Sequence, residues 1–103
     1  MKYLTFLLLK FLWLSNFVMA ETIPTKSKIL KDASYCTKDS QAQVCKDLVS
    51  ELEKLQLLVF DQNRFKCQSS LLGMQSAIIE AYFYKNSSSE RISLMIPYVI
   101  KNC

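Results

Sequence analysis

The first twenty residues decide what the rest of this chain can become. Lys2 supplies a short positive start, Tyr3 to Met19 is almost wholly apolar, and Phe17-Val18-Met19-Ala20 ends the run with small residues at the −3 and −1 positions of a cleavage site. That is the layout of a secretory signal peptide. Cleavage after Ala20 leaves residues 21–103 as a single domain. It also carries Cys36, Cys45, Cys67 and Cys103 into an oxidising compartment. The competing reading is an uncleaved anchor. A spanning helix needs about 20 apolar residues without a central charge. Lys10 splits this run into 4–9 and 11–14, so cleavage is the expectation. The only tryptophan, Trp13, leaves with the leader, and no cysteine near the cleavage point offers a lipid anchor.

A domain this short buries a limited core and needs covalent staples. An even number of cysteines after export predicts two disulfides. The spacing C-x8-C-x21-C-x35-C contains no C-x-x-C pair, and the chain has no histidine. Close pairs of cysteine or histidine are what a structural zinc site and a thioredoxin-like redox centre require. Neither metal nor cofactor is therefore expected. Of 13 basic residues, Lys2 and Lys10 go with the leader, which leaves a near balance against 9 acidic ones. Nucleic-acid and anionic-lipid binding call for a clustered basic face. Here the lysines are spread out, apart from Lys26, Lys28 and Lys31, which read as a solvated face of a first helix.

One glycine and two prolines in 103 residues are too few turn formers for an all-β fold. The chain reads as all-α, a small disulfide-stapled bundle of three to four helices. A linker over 21–25 precedes a first helix that carries Ile29, Leu30 and Ala33 and ends at Tyr35-Cys36. Ser40 with Gln43 fits a capping box before a helix over 41–60. In that helix Val44, Leu48, Leu52, Leu55 and Val59 recur on one face. A polar connection, 61–64, returns to the core at Phe65 and Cys67. Ser69 or Ser70 then caps a helix over 70–84, whose wide apolar stripe runs from Leu71 to Phe83. Gly73 within it either lets another helix approach or is a tolerated weak spot. Self-association into a homodimer through the 71–83 stripe and burial of that stripe inside the monomer are both open. Lys85 to Ser89 is the clearest loop, with Ser87 and Glu90 as a second capping box. The final helix meets Pro97, which lacks an N–H and clashes with the preceding turn. A kink or break is expected there, with a looser turn to Cys103.

Short connections make neighbouring helices antiparallel. Cys36 and Cys45 then share one end of the bundle, and Cys67 and Cys103 the other. The pairing expected on that geometry is Cys36–Cys45 and Cys67–Cys103. A Cys36–Cys67 bridge would have to span about 20 Å or more of helix, beyond disulfide reach.

Catalytic constellations are scarce. Without histidine there is no Ser-His or Cys-His pair, and bridged cysteines are not nucleophiles. Glu51 and Glu53 point different ways on a helix, Glu80 sits alone in an apolar stretch, and no glycine-rich phosphate loop exists. The chain is expected not to be an enzyme. Asn86-Ser87-Ser88 matches a glycosylation sequon, which matters only in a source with an endoplasmic reticulum. Tyr82, Phe83 and Tyr84 are consecutive, so one helix face cannot bury all three; with Tyr98 they leave open a second subunit or a protein partner that covers some of them, or a tyrosine half buried on the surface with its hydroxyl in water.

Cys36, Val44-Cys45-Lys46-Asp47-Leu48 opening a long apolar helix, Phe65-Lys66-Cys67 after a polar connection, Ala81-Tyr82-Phe83, a polar turn and a last helix closing on Cys103 follow one another in order. This succession resembles the Rap/Tai group of small helical periplasmic proteins. These are immunity proteins against type VI secretion effectors that cleave peptidoglycan. The resemblance implies an exported inhibitor that occludes the active site of a cell-wall amidase-type effector with a loop. The matching residues here are Lys85, Asn86, Ser87, Ser88, Ser89 and Glu90. Its location would be the periplasm, or the exterior where the source lacks an outer membrane. The rival readings are a small periplasmic chaperone and an accessory subunit of an envelope secretion system. Nine acids and no histidine give such a chaperone a weak acid switch.

Overall fold

The computed structural model describes residues 23–84 and 89–103. The proposed leader, 1–20, lies outside them. Four helices follow in order: α1, Lys26–Lys38; α2, Gln43–Asp61; α3, Phe65–Phe83; and α4, Glu90–Asn102. Among the described residues there is no strand. Each helix packs on two neighbours: α2 on α3, α3 on α4, and α1 on both α2 and α4, with α2–α3 the most extensive contact. The fold is thus a small all-α bundle carrying two disulfides, Cys36–Cys45 and Cys67–Cys103, with Cα atoms 5.6 and 4.8 Å apart.

The core follows the helical periodicity. Leu48, Leu52, Leu55 and Val59 of α2 are buried, joined by Cys45, while Val44 is half-buried at the start of the stripe. Ile29 and Ala33 of α1, Leu71, Met74 and Ile78 of α3, and Ile92 and Val99 of α4 meet them. Gly73 marks a close approach. A Cβ there would lie 2.5 Å from Met95 Cε and 3.3 Å from its Sδ, so α4 seats its methionine in the space a side chain would take.

Several boundaries differ from the expected ones, each for a local reason. Thr25 caps α1, its hydroxyl accepting from the Lys28 amide at 3.2 Å, but α1 runs on to Lys38, past Cys36. The Ser40–Gln43 capping box does not form. Ala42 is the N-cap of α2 without a side-chain bond, and Gln43 instead donates to Asp47 at 3.1 Å. The helix ends in a Schellman motif: Asn63 has φ 57°, its amide donates to Phe60 O, and the Arg64 amide donates to Val59 O, both at 2.9 Å. Asparagine tolerates that left-handed conformation. The turn is so tight that α3 begins at Phe65, five residues ahead of the expected Ser70 cap. Phe65 does not enter the core; it stands exposed, edge-on to Phe60 with ring centroids 6.1 Å apart. Ser70 is buried mid-helix, donating to Lys66 O at 2.9 Å and accepting from Asn102 Nδ2 at 2.8 Å.

Pro97 does not break α4, which continues to Asn102. The proline and Ser93, the residue four back whose carbonyl loses its donor, both lie on the exposed face, where water can satisfy that carbonyl. The last turn is anchored from three sides: Lys26 Nζ donates to Ile100 O at 3.0 Å, Arg64 Nη2 to Cys103 O at 2.9 Å, and Asn102 to Ser70. The second capping box also differs, since Ser89, not Ser87, is the N-cap of α4.

Of the three α1 lysines read as a solvated face, Lys26 and Lys28 find partners and Lys31 stays exposed. Lys28 forms a close ion pair with Glu51 of α2 and lies 3.6 Å from Asp32. The hydrogen bond to Glu51 raises the Lys28 pKa above its ordinary 10.5, with the nearby negative charges of Glu51 and Asp32 adding to it. A folded-state lysine pKa above the unfolded one stabilises the protein fully below about pH 10 and is lost as pH rises through the folded value. Urea midpoints for the native protein are therefore expected to fall above about pH 10.5 more steeply than for Glu51→Gln, whose lysine has lost its main partner. Parallel curves would show that the pair contributes nothing. Glu80, read as solitary, pairs across the bundle with Arg91 of α4.

Candidate partner-binding surface

The end of the bundle that carries Cys36–Cys45 is held together by backbone acceptors that the helices leave unpaired. A helix C-terminus ends in carbonyls without intrahelical donors. Gln41 Nε2, in the α1–α2 connection, donates to Ala81 O at 3.1 Å in the last turn of α3. Ser89 Oγ donates to Thr37 O at 3.0 Å in the last turn of α1. Asp39 Oδ1 accepts from the Gln41 amide at 3.2 Å and shapes the connection between them. These bonds and the disulfide brace the termini of all four helices against one another.

On that braced end aromatic side chains stand outward among charged and polar ones. Tyr35 is 54% exposed and Tyr84 66% exposed, while Phe83 leans edge-on against the half-buried Tyr82 at 4.8 Å between centroids. Beside Tyr35, a groove of about 520 Å³ runs between α1 and the first turn of α2. Ala42 and Val44 line its floor, and Lys31 and Lys38 stand along it. Neither lysine has an ion-pair partner among the described residues. The surface offers area, a shallow recess and positive charge on a rigid base, which suits contact with a protein that presents apolar and acidic groups.

Of the residues expected to meet a partner, Lys85, Asn86, Ser87 and Ser88 lie outside the described residues. Ser89 and Glu90 are at the braced end, where they open α4, but the Ser89 hydroxyl is committed inward to Thr37. Tyr98, the fourth aromatic residue singled out, is exposed on α4 near the opposite end, beside Met95 and Asn102. Sequence reasoning missed the groove, because Tyr35 and Val44 are brought together only by the α1–α2 turn. The C-x8-C spacing was the one signal that could have found it, since a bridge over so short a segment folds α1 back onto α2. Among the described residues no group of three His, Cys, Asp or Glu side chains is placed to hold a metal, and no helix is long and apolar enough to cross a membrane. No protein-family model, no characterised protein and no solved structure matches this chain.

Proposed function

We propose that this protein is an exported inhibitor that acts by contact, most specifically an immunity protein that occludes the active site of a cell-wall amidase-type effector in the periplasm. The observation that carries the reading is the braced end of the bundle. There Tyr35 and Tyr84 project into solvent from a base fixed by Cys36–Cys45 and by the Gln41 and Ser89 hydrogen bonds. An inhibitor that must hold its shape inside another protein's cleft gains from such preorganisation, because little side-chain and loop freedom is lost on binding. Exposed tyrosine supplies large contact area with one polar tip. Residues 1–20 as a cleaved signal peptide and four cysteines as two bridges fit an oxidising, extracytoplasmic site of action. The cysteine order that resembles the Rap/Tai group supplies the class of target.

The test is inhibition in solution. The oxidised protein is titrated into the peptidoglycan-cleaving enzyme encoded beside it while hydrolysis of purified cell wall is followed. Hydrolysis is expected to stop at one equivalent. Tyr35→Ala with Tyr84→Ala is expected to raise the concentration needed by tenfold or more, the loss typical of an interface anchor worth about 1.4 kcal/mol or above. Hydrolysis that continues at several equivalents removes the reading. A pH-dependent rescue of unfolded client proteins in its place would favour a chaperone.

A further inference from the structure

Among the described residues, Ser70 is the polar side chain buried in an otherwise apolar core. Inside a helix a serine adds little to helix stability, so its use lies in its hydrogen bonds. Ser70 Oγ donates to Lys66 O and accepts from Asn102 Nδ2. The second bond fixes the Asn102 amide. With the nitrogen turned to Ser70, the carbonyl oxygen on the other side of that planar group is left as an acceptor, with no partner among the described residues.

Beside this pair a groove of about 470 Å³ runs along the flank of the α3–α4 contact, at the end of the bundle closed by Cys67–Cys103. Lys66, Ser69 and Ser70 line it from α3; Met95, Tyr98 and Asn102 line it from α4. Each set falls on one face of its helix, because residues three, four and seven apart are neighbours there. Met95 is half-buried and sits close to α3 in the space that Gly73 leaves. Tyr98 is 56% exposed. Lys66 has no ion-pair partner among the described residues, and the hydroxyls of Ser69 and Tyr98 have no hydrogen-bond partner there.

These groups select a ligand. They offer an aromatic ring and a thioether, two uncommitted hydroxyls, one oriented amide acceptor and one cation. A pyranose sugar has a face of C–H groups, which lies on an aromatic ring, and a rim of hydroxyls, which exchange hydrogen bonds with hydroxyl and amide side chains. A carboxylate on the same sugar pairs with the ammonium. A peptide carboxylate or a phosphate is typically cradled by free backbone N–H groups. Past the first turn of a helix those groups are bonded within it, so recognition along this flank falls to side chains. We infer that the α3–α4 groove is a binding site for a carboxylated pyranose. Tyr98 lies under the C–H face, Asn102 and Ser69 take the hydroxyls, and Lys66 takes the carboxylate. The site is at the end of the bundle away from Tyr35, so it goes beyond the inhibitor reading and does not depend on it. An open groove that holds one sugar ring gives a dissociation constant on the order of 1 mM.

Amide chemical shifts of the oxidised, exported form of the protein, titrated with four probes, test this. Glucuronate and N-acetylmuramate carry a carboxylate on a pyranose, N-acetylglucosamine is a pyranose without one, and N-acetylleucine is a peptide-like carboxylate without a sugar. Both acidic sugars are expected to give saturable shifts centred on 66–70 and 95–102. N-acetylglucosamine is expected to bind at least tenfold more weakly. A tighter N-acetylmuramate names cell-wall glycan as the source, and a tighter glucuronate names a uronic acid polymer. Lys66→Gln should weaken both acidic sugars about tenfold and leave N-acetylglucosamine unchanged, while Tyr98→Ala should weaken all three sugars several-fold. Both side chains are exposed, and unchanged shifts outside the groove confirm that each variant keeps the fold. No saturable shift with either acidic sugar up to about 20 mM overturns the inference, as do shifts centred elsewhere. So does native affinity of Lys66→Gln for both acidic sugars, or N-acetylglucosamine binding as tightly as N-acetylmuramate. Tighter binding of N-acetylleucine than of either acidic sugar overturns it in favour of a peptide carboxylate.

Discussion

Replacing both Cys67 and Cys103 by serine is expected to lower the unfolding free energy by about 4 kcal/mol, and replacing both Cys36 and Cys45 by about 2.5 kcal/mol. The difference comes from the loops closed, with sequence separations of 36 and 9. A cross-link removes more freedom from the unfolded chain when it joins more distant residues. The longer bridge also anchors the end of α4. Without it only the hydrogen bonds of Lys26, Arg64 and Asn102 hold the last turn, through Ile100 O, Cys103 O and Ser70, and a helix end held by hydrogen bonds alone frays. A domain of this size has a total stability near the low end of the usual 5–15 kcal/mol. Loss of the Cys67–Cys103 bridge is therefore expected to leave a substantial unfolded fraction at 37 °C. Urea unfolding of the two double-serine variants, followed by far-ultraviolet circular dichroism, measures both effects. Equal losses, or a larger loss from the shorter loop, would show that native-state contacts rather than unfolded-chain freedom set the contribution of each bridge.

Within α2, leucines five residues apart are expected to differ several-fold in their effect. Leu52→Ala should cost about 3 kcal/mol and Leu57→Ala less than about 0.5 kcal/mol. Leu52 is fully buried and Leu57 is 62% exposed. The first substitution opens a cavity where α2 meets the rest of the core, and the surrounding helices cannot fully collapse into it. The second removes an exposed side chain and gains alanine's favourable helix propensity. Chemical denaturation of the two variants checks the assignment of faces. A loss at Leu57 comparable to that at Leu52 would mean that α2 is rotated relative to the arrangement described here.

The α2 stripe was readable in advance because its energetics are local and periodic. Leu48, Leu52, Leu55 and Val59 repeat at helical spacing, so any burial of one buries them all. The disulfide pairing was readable for a related reason: helix lengths and short connections put Cys36 with Cys45 and Cys67 with Cys103. The misread helix starts have one common origin. Ser40, Ser69, Ser70 and Ser87 look like caps, because serine competes well for the free amides of a first turn. At Ser70 the hydroxyl found better use between Lys66 O and Asn102, and a Schellman turn at Asn63 allowed α3 to start earlier without a side-chain cap. The break and looser turn expected at Pro97 do not occur, because the cost of proline in a helix depends on whether the deprived carbonyl can reach water, which a one-dimensional pattern does not reveal. The aromatic run over 82–84 signalled a surface surplus, but the groove beside Tyr35 and the one between α3 and α4 required knowing which neighbours each helix takes.

By itself, the sequence determined the class of the molecule: a helical domain, periodic enough to bury one face of α2 and short enough to depend on cross-links between its ends. Those properties follow from composition and nearest-neighbour spacing, which are unchanged by how the chain folds. Only the tertiary structure decided which apolar residues are spent and which remain. α3 carries two apolar stripes of similar strength, and the choice of Leu71, Met74 and Ile78 for the core over Phe65, Leu72 and Phe83 is made by the positions of α2 and α4. Burial is a property of neighbours in space, and in a helix with few charges to mark an outside, nothing along the chain distinguishes the face that will be covered.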